Sequence, residues 1–427
     1  AGKSSGLKIL YGSELYVVDD ELPFGLNPSK REILNAKYVC FDLETTGLSA
    51  RYDRITEFGA VKIEKGLEIS SVDYLINPTI PIPLKIQNKT HITDSMVKNK
   101  PTIEQTIDQI LDFFEDAIIV SHNINFDIGF LNEALKRMGR EPIKNPCIDT
   151  LSLSRYMFPE SNRHNLGTLS RNLGLTTYDE DEAHRADFDA RILSEVWMEM
   201  LPRLTQNHLN MTHEEVSNIK ASETLIKHMR PSHATVLVKN KEGLKALYEL
   251  ISESHITYLA DVPKTPKREL QRLRKDLIIG SGCVNGEVFD TAQTRSKEVL
   301  KEKMRFYDFI EVQPPENYSF LVEQNKVESM DNIIQYIKDI IEVADELNIP
   351  VCATGDCHYV NPEEKVFRDV YVCAPAVGGK LHPLFSRERG SLAPNQHYRS
   401  TEEMLEAFSF LGEVKAKEVY VDANYYG

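Results

Sequence analysis

The segment at residues 37–47, KYVCFDLETTG, constrains the fold of this chain more than any other part of its sequence. Its β-branched and aromatic residues predict a strand that is too apolar to lie in solvent. Asp42 and Glu44 stand two apart at the end of this strand, so both side chains project from the same face. Like charges repel, and the pair therefore requires a bound metal ion or raised pKa values. The alternative is an exposed edge strand that carries two acids, but the sequence of an exposed edge strand would be less apolar than this one.

The pattern that follows predicts an α/β domain ending near residue 205. Alternation predicts strands and apolar spacing predicts helices, with strands at 54–63, 69–77 and 117–122 and helices at 103–115, 126–139, 166–174 and 186–201. This mixture indicates an α/β sheet domain. Residues 206–230 predict a solvated helical linker. From residue 231 onward strands and helices alternate as in an α/β barrel-like domain.

The charge balance limits how this chain can bind nucleic acid. It has 65 acidic and 50 basic residues, and its net charge is −15. A protein that depends on non-specific phosphate contacts is normally basic. If nucleic acid is the substrate, something else must neutralise phosphate locally. Divalent metal ions bound by clustered carboxylates would do so.

Other features of the sequence predict a cytoplasmic protein with no membrane partner. No apolar run approaches the roughly 18 residues that a membrane-spanning helix needs. The N-terminal AGKSSGLKIL has no long apolar stretch typical of a secretion signal. Six cysteines without a CxxC pair favour free thiols in a reducing compartment. The chain opens within a strand-like run at residues 7–18, which predicts a fragment of a longer protein.

A third candidate acid, Asp127, follows the sequence SHNINF. It is predicted in the first turn of the helix after the strand at 117–122. An acid at that position also interacts favourably with the helix dipole, and Asn125 would then be the N-cap. Taken alone, Asp127 fits this structural role better than a catalytic one.

The segment HRADFD combines a histidine with two further acids. His184 and Asp189 are five residues apart, which is roughly 140° around a helix, so they cannot share a helical face. His184 is therefore predicted on the loop or first turn, and Asp189 inside the helix. Asp187 is predicted to point elsewhere and to be solvated. A surface histidine paired with nearby acids is the alternative.

These residues occur in the chain order DxE, D, HxxxxD, each beside apolar core sequence. DLETTG, SHNINFD and HRADFD resemble the three motifs of the DEDDh 3′→5′ exonucleases of the proofreading type. ITEFGAVKI and IDT resemble their flanking signatures, and the resemblance covers about residues 37–200. It implies a ribonuclease H-like fold and four carboxylate ligands of two Mg²⁺ or Mn²⁺ ions, at Asp42, Glu44, Asp127 and Asp189.

The chemistry of phosphodiester hydrolysis agrees with this implication. The reaction needs an activated water and a stabilised leaving 3′ oxygen, and two metal ions about 3.5–4 Å apart supply both. Oxygen ligands suit Mg²⁺ or Mn²⁺ better than Zn²⁺. The resemblance implies that His184 is the general base, and a neutral imidazole with a pKa of about 6.5 can take a proton from water at pH 7. His91, in NKTHITDSMV, stands where the family commonly has Gly, which implies a difference in how the DNA end is held.

The segments outside this region resemble the PHP domain of bacterial replicative DNA polymerase III alpha subunits. GSELYVVDD at 12–20, HATVLVKNKEG, LIIGSGCVNGEVF and ATGDCHYVNPEEK carry the resemblance, with GGKLHPL at 378–384 and QHYRSTEEMLEAF at 396–408. An exonuclease inserted within this domain is the PolC-type arrangement. The match implies a partial site for Zn²⁺ or Mn²⁺ at Glu14, His233, Cys283, Asp356 and His358.

The rest of that metal site would lie upstream of this chain. The family's His-x-His and further ligands precede the glutamate, so about half a site is present. The alternative is that these residues are structural remnants that pack the barrel. His255, Glu311 and Cys357 are further candidates nearby.

The two resemblances predict the domain organisation. They place an N-terminal PHP remnant and connector at residues 1–33, a DEDDh exonuclease domain at 34–205, a linker at 206–230 and the C-terminal part of the PHP domain at 231–427. No polymerase palm is visible, and the parent would be a DNA-directed DNA polymerase.

The function implied is proofreading exonuclease activity on single-stranded or frayed DNA 3′ ends, releasing 5′-mononucleotides. Replisome proteins such as the sliding clamp are implied partners. A free-standing DEDDh exonuclease or ribonuclease and a non-catalytic replisome scaffold are the alternatives. A PHP phosphoesterase is disfavoured because half of its ligands are absent.

Overall fold

The computed structural model describes residues 6, 9–20, 24–376, 379 and 381–423. Its strands are β1 (Gly12–Val18), β2 (Gly25–Leu26), β3 (Tyr38–Thr45), β4 (Ile55–Glu64), β5 (Leu67–Leu75), β6 (Ile118–Ser121), β7 (Cys147–Asp149), β8 (Ser232–Val238), β9 (Lys264–Pro266), β10 (Leu277–Gly280), β11 (Ile310–Val312), β12 (Val351–Ala353), β13 (Phe385–Ser386) and β14 (Gly390–Ser391).

The α-helices range from single turns to a twenty-residue helix. They are α1 (Leu84–Thr90), α2 (Asp94–Val97), α3 (Ile103–Phe114), α4 (Ile124–Arg137), α5 (Thr150–Met157), α6 (Leu166–Leu173), α7 (Ala186–Thr205), α8 (His213–Ser217), α9 (Glu223–His228), α10 (Lys241–Ile256), α11 (Lys267–Leu273), α12 (Glu287–Thr294), α13 (Lys297–Met304), α14 (Ser319–Glu323), α15 (Met330–Leu347), α16 (Lys365–Cys373), α17 (Thr401–Ala407) and α18 (Glu413–Lys417).

A six-stranded mixed sheet forms the centre of the first region, in the order β2-β7-β6-β3-β4-β5. β3 lies between β6, to which it is parallel, and β4, to which it is antiparallel. Val39 and Phe41 of β3 pack in a core with α3 and α4, whereas Tyr38 and Cys40 pack in a core with α7. Because both faces of β3 are covered, its sequence is a nearly continuous apolar run.

The start of α7 lies very close to the sheet. A Cβ atom on Gly59 of β4 would lie 2.2 Å from the carbonyl carbon and oxygen of Ala186, so a residue with a side chain cannot take this position without a shift of the backbone. α7 contacts both β3 and β4. The first turn of α7 therefore lies over the end of β3 at which the two acids stand.

The structure confirms the α/β fold class and changes several boundaries. α4 begins at Ile124 with Asn123 as its N-cap, so the predicted N-cap at Asn125 is wrong. α1 begins directly after Pro83, at a position where proline is tolerated, and it has no counterpart among the predicted helices. α5 has no counterpart among the predicted helices.

Residues 206–230 contain helices, as predicted, but they are not solvated throughout. This segment forms α8 and α9, and Val216 and Ile226 are completely buried in the core that α7 shares with the sheet. His213 is also buried, and its Nε2 lies 2.8 Å from the carbonyl oxygen of Cys147. Helices this short contain too few apolar positions to produce a clear period, and their polar residues dominate the pattern.

A second sheet joins segments from before and after the six-stranded sheet, in the order β10-β8-β1-β9. β1 runs antiparallel to β8, with Glu14 opposite Thr235 and Tyr16 opposite His233. A bridge between Gly280 and Phe309 continues toward the parallel pair β11 and β12. A separate core that includes α15 covers these strands. This repeated βα arrangement agrees with the expected partial, barrel-like PHP fold.

Two sequence predictions lie partly outside the described residues. The strand-like run at 7–18 includes residues 7 and 8, and GGKLHPL includes residues 378 and 380. Within the ranges that the structure describes, no helix is both long and apolar enough to cross a bilayer.

Candidate active site

Two carboxylates lie at the carboxyl end of β3, on the face that α7 covers. Asp42 and Glu44 continue the alternation of Cys40, which packs in the α7 core. Burial raises the pKa of Asp42 well above its ordinary value, and the charges of Asp127 and Asp189 raise it further. Burial likewise raises the pKa of Glu44, although Lys89 opposes the shift. The same-face arrangement predicted for the two acids is therefore present.

Asp127 lies in the first turn of α4 and is buried. Ser121, at the end of the neighbouring strand β6, donates a hydrogen bond to Asp127 Oδ2. Burial raises the pKa of Asp127 to about 7, even though that hydrogen bond favours the ionised form. Asp127 thus has the first-turn position that the sequence predicts, and it faces the acids of β3 as well.

His184 and Asp189 occupy the positions that their spacing predicts. His184 lies on the loop before α7, in the left-handed region at φ +68°, and Asp189 lies inside the helix. The backbone N–H of His184 donates to Asp189 Oδ2 at 3.1 Å, which ties the loop to the helix. Burial raises the pKa of Asp189 to about 6. Asp187 is exposed, as predicted.

The four acids and the histidine come together from three segments that are far apart in the sequence. Possible ligand atoms of Glu44, His184 and Asp189 lie within 4.8 Å of one another. Asp42 interacts electrostatically with Asp127, Asp189 and Glu44. A set of carboxylates with raised pKa values lacks compensating positive charge, and its oxygen ligands suit a hard divalent cation.

Glu57 is a residue of this site that the sequence patterns did not single out as functional. It is completely buried and lies opposite Glu44 in the pairing of β3 with β4. It accepts hydrogen bonds from Arg185 Nε at 3.0 Å and from the backbone N–H of Ala186 at 2.7 Å. Glu57 therefore holds the start of α7, and with it His184 and Asp189. An acid inside the apolar run ITEFGAV is the signal that could have identified it.

Lys89 and His91 lie near the acids, at the end of α1. Burial lowers the pKa of His184, and Lys89 and His91 lower it further. Lys89 also opposes the raised pKa values of Glu44 and Asp189. His91 is exposed and adopts φ +59°, the left-handed conformation that glycine accommodates most readily.

Asp149, the acid of the IDT signature, supports the start of α4. It is buried, and its Oδ1 accepts the backbone N–H of Asn123 at 2.9 Å and that of Leu151 at 3.1 Å. Ser152 donates to its other oxygen at 2.6 Å. One carboxylate thus connects the beginnings of α4 and α5.

A second cluster lies at the junction of β1, β8 and the loop after β10. Glu14 Oε1 lies 2.9 Å from His233 Nδ1, and Cys283 Sγ lies 3.3 Å from the same nitrogen. Burial opposes protonation of His233, but hydrogen bonds with Cys283 and Glu14 raise its pKa to about 10. These three residues offer ligand atoms that lie within 4.8 Å of one another.

The other candidates for this cluster divide into near and distant groups. Asp356 and His358 interact electrostatically with Glu14, and Nε2 of His358 lies 3.7 Å from Asp356 Oδ1. Glu311 also interacts with Glu14, and its buried Oε1 has no hydrogen-bond partner among the described residues. His255, in contrast, bonds to the carbonyl of Ile251 in its own helix α10.

Two family models match this chain, and their matches overlap at residues 173–197. The exonuclease family model matches residues 39–197, and the PHP domain model matches residues 173–315. The "DNA polymerase III PolC-type" of Bacillus subtilis is 39% identical over 422 residues, which is 99% of this chain. The chain is homologous to part of PolC-type DNA polymerase III. The "DNA polymerase III PolC-type" of Pediococcus pentosaceus is 38% identical over 422 residues. This chain spans 29% of the length of each of the two relatives.

Solved structures show weaker similarity. Exonuclease X in complex with 5′ overhanging duplex DNA is 23% identical, with a TM-score of 0.33, and the match covers 42% of this chain and 96% of that one. The nuclease domain of 3′hExo, a DEDDh family member bound to rAMP, is 14% identical, with a TM-score of 0.35, and the match covers 45% of this chain and 100% of that one.

Proposed function

We propose that this chain is the proofreading 3′→5′ exonuclease portion of a PolC-type DNA polymerase III. It would hydrolyse the terminal phosphodiester bond of a DNA 3′ end and release a 5′-mononucleotide. One observation carries the proposal: carboxylates from three distant segments converge beside the imidazole of a loop histidine. Homology to PolC-type polymerases supports DNA as the substrate and a DNA-directed DNA polymerase as the parent.

The metal ligands in this proposal are Asp42, Glu44, Asp127 and Asp189. Their oxygen atoms form a set that suits two Mg²⁺ or Mn²⁺ ions. Their pKa values are raised, as expected for neighbouring carboxylates that have no bound cation to compensate their charge. When bound, the ions polarise the scissile phosphate and activate water. Glu57 and Asp149 act indirectly, because they hold the two helices from which Asp189 and Asp127 project.

His184 is proposed as the general base. Its pKa is lowered by burial and by Lys89, so its imidazole is neutral at pH 7 and can accept the proton of the attacking water. Its position on a loop lets it reach water at the edge of the site. Lys89, at the end of α1, would attract the phosphates of the strand end, which an acidic protein otherwise repels.

The decisive experiment compares acids inside and outside the site. Asp42→Ala and Asp189→Ala are expected to abolish Mg²⁺-dependent removal of a mispaired DNA 3′ nucleotide while the thermal unfolding transition persists. Asp112→Ala is the matched control, because Asp112 is exposed on α3 and belongs to none of the described groups of acids that could hold a metal ion. Undiminished digestion by either alanine variant contradicts the proposal.

The same assay separates the alternatives. A free-standing ribonuclease would degrade a short RNA faster than a mispaired DNA end, and a non-catalytic scaffold would degrade neither. The homology over nearly the whole chain favours the polymerase-associated enzyme over both. Replisome proteins such as the sliding clamp, and a cytoplasmic location, belong to this proposal through the same homology.

We further propose that the second cluster binds one Zn²⁺ or Mn²⁺ ion through Glu14, His233 and Cys283, with Asp356 and His358 nearby. A carboxylate, an imidazole and a thiolate within 4.8 Å form a ligand set that suits Zn²⁺. Metal content measured on the purified chain tests this: Cys283→Ser is expected to reduce bound metal, and Cys352→Ser is not. Equal content in the two variants contradicts the site.

A further inference from the structure

Both ends of α4, the helix that carries Asp127, contact residues 295–298. These residues lie in the PHP region, the part of the chain at 231–427 together with β1. At the C-terminal end of α4, Lys136 forms an ion pair with Glu298 of α13 at 2.7 Å, between exposed side chains. At its N-terminal end, Asn123, the N-cap of α4, contacts Arg295, the first of the two residues between α12 and α13. Only the second contact lies next to the proposed metal site.

The position of Arg295 is unfavourable in free energy. Its Nη2 donates to Asn123 Oδ1 at 3.0 Å, while its Nη1 is buried and has no hydrogen-bond partner within the described ranges. Burial lowers the pKa of Arg295, and the charges of Asp149 and Asp127 oppose that shift. A buried guanidinium with an unused donor costs free energy, so a contribution to stability explains this placement poorly.

Asn123 is an unusual N-cap. Asparagine at this position ordinarily accepts a hydrogen bond from its own helix, but in the described structure its side chain makes no such bond and accepts from Arg295 instead. Its backbone has φ +89°, in the left-handed region, and its N–H donates to Asp149. Two external contacts therefore hold the residue from which α4 starts.

We propose that Arg295 is a positioning residue of the exonuclease site, which the PHP region contributes across the domain contact. By holding the side chain of Asn123, it sets the start of α4 and thereby the orientation of Asp127. The inference rests on the proposed function, because it assigns Asp127 to metal binding. It also means that the catalytic competence of one domain depends on the other domain being docked.

Binding of Mn²⁺ alone, titrated calorimetrically into the full 427-residue chain, tests this role. Arg295→Met is expected to weaken Mn²⁺ binding at the exonuclease site by about 10-fold or more, which is the range found when groups that orient metal ligands are removed. Arg295→Lys keeps a donor for Asn123 and is expected to retain most of the affinity. Performing the titration in the Cys283→Ser background reduces the contribution of the second cluster to the measured binding.

The sign of the change distinguishes positioning from charge. If Arg295 acted only through its charge, its removal would tighten Mn²⁺ binding, because a nearby positive charge would be lost. Unchanged or tighter binding in Arg295→Met would therefore overturn the proposal. Glu298→Gln is the control for general loosening of the domain contact, and a loss in this variant equal to that of Arg295→Met would overturn it too.

A coupling measurement and an activity measurement complete the test. Asn123→Ala should weaken Mn²⁺ binding, and Arg295→Met should weaken it little further when Asn123 is already alanine. Additive losses contradict a shared role. If the unsubstituted chain binds Mn²⁺ but digests no DNA, the proposed function fails while the Mn²⁺ titration still decides the role of Arg295.

Discussion

The exonuclease site and the second cluster gather similar residues but balance charge in opposite ways. In the first, burial raises the pKa values of Asp42, Asp127 and Asp189, and the charges of the other two acids raise that of Asp42 further. In the second, His233 bonds with both Glu14 and Cys283 and remains protonated well above neutral pH. We therefore expect the first site to favour a bound cation, whereas the second can compensate its own charges.

This difference affects how readily each cluster binds a metal ion. A group of acids that repel one another stores unfavourable electrostatic energy, which a divalent cation relieves on binding. A cluster that already pairs a cation with an anion must give up those hydrogen bonds, and a proton, before a metal ion can enter. We therefore expect stronger metal-induced stabilisation at the exonuclease site.

The largest expected effect comes from the residue that supports the first site. Glu57→Gln keeps the shape of the side chain but removes the charge that holds Arg185 and the start of α7. Exonuclease activity is expected to fall about 10- to 100-fold, and the free energy of unfolding by about 1–3 kcal/mol. Metal content at the second cluster should not change. Glu68→Gln, at an exposed position of β5, is the control, and an equal loss there would contradict the assigned role.

The next effect is a pH dependence of metal-induced stability. The raised pKa values of Asp127, about 7, and Asp189, about 6, mean that the metal-free folded chain loses stability from these groups as pH rises from 5 to 8. Mn²⁺ binds the ionised carboxylates and restores that stability. The increase in melting temperature on adding Mn²⁺ should be larger at pH 8 than at pH 5. Equal increases in melting temperature at pH 5 and pH 8 would contradict the proposed difference in charge balance between the two clusters.

The smallest expected effect concerns the second cluster. Its contribution to stability also falls as pH rises, but over a higher pH range. The folded-state pKa of His233 is raised from 6.5 to about 10, so its contribution to stability is fully present below pH 6.5 and is lost as pH rises toward 10. In metal-free protein, urea midpoints measured from pH 6 to pH 10 should fall less steeply for His233→Gln than for the unsubstituted chain. Parallel curves would show that the pairing with Glu14 and Cys283 does not stabilise the fold.

Much of the fold and the main acids of the site follow from sequence patterns. The alternation in β3 predicts the shared face of Asp42 and Glu44, and the spacing of HRADFD predicts His184 on a loop and Asp189 in a helix. These arrangements depend on neighbours within one strand or one helix, where the periods of 2 and 3.6 residues govern direction. The motif match then implies their common role.

The supporting residues could not be found in this way. Glu57 is one acid in an apolar strand, and Arg295 is one arginine between two helices; each gains its importance from a partner far away in the sequence. The burial of α8 and α9 was missed for a related reason. Short polar helices become part of a core only when other elements supply the apolar surface around them.

The sequence by itself therefore determined many of the longer strands and helices and which acids share a strand face or a helix turn, because local periodicity sets side-chain direction. Only the tertiary structure decided that α7 could approach β4 at Gly59, that Glu57 and Asp149 hold the two helices of the site, and that Arg295 meets Asn123. Contacts of this kind depend on how separate elements pack in three dimensions, and no local pattern of residues specifies that packing.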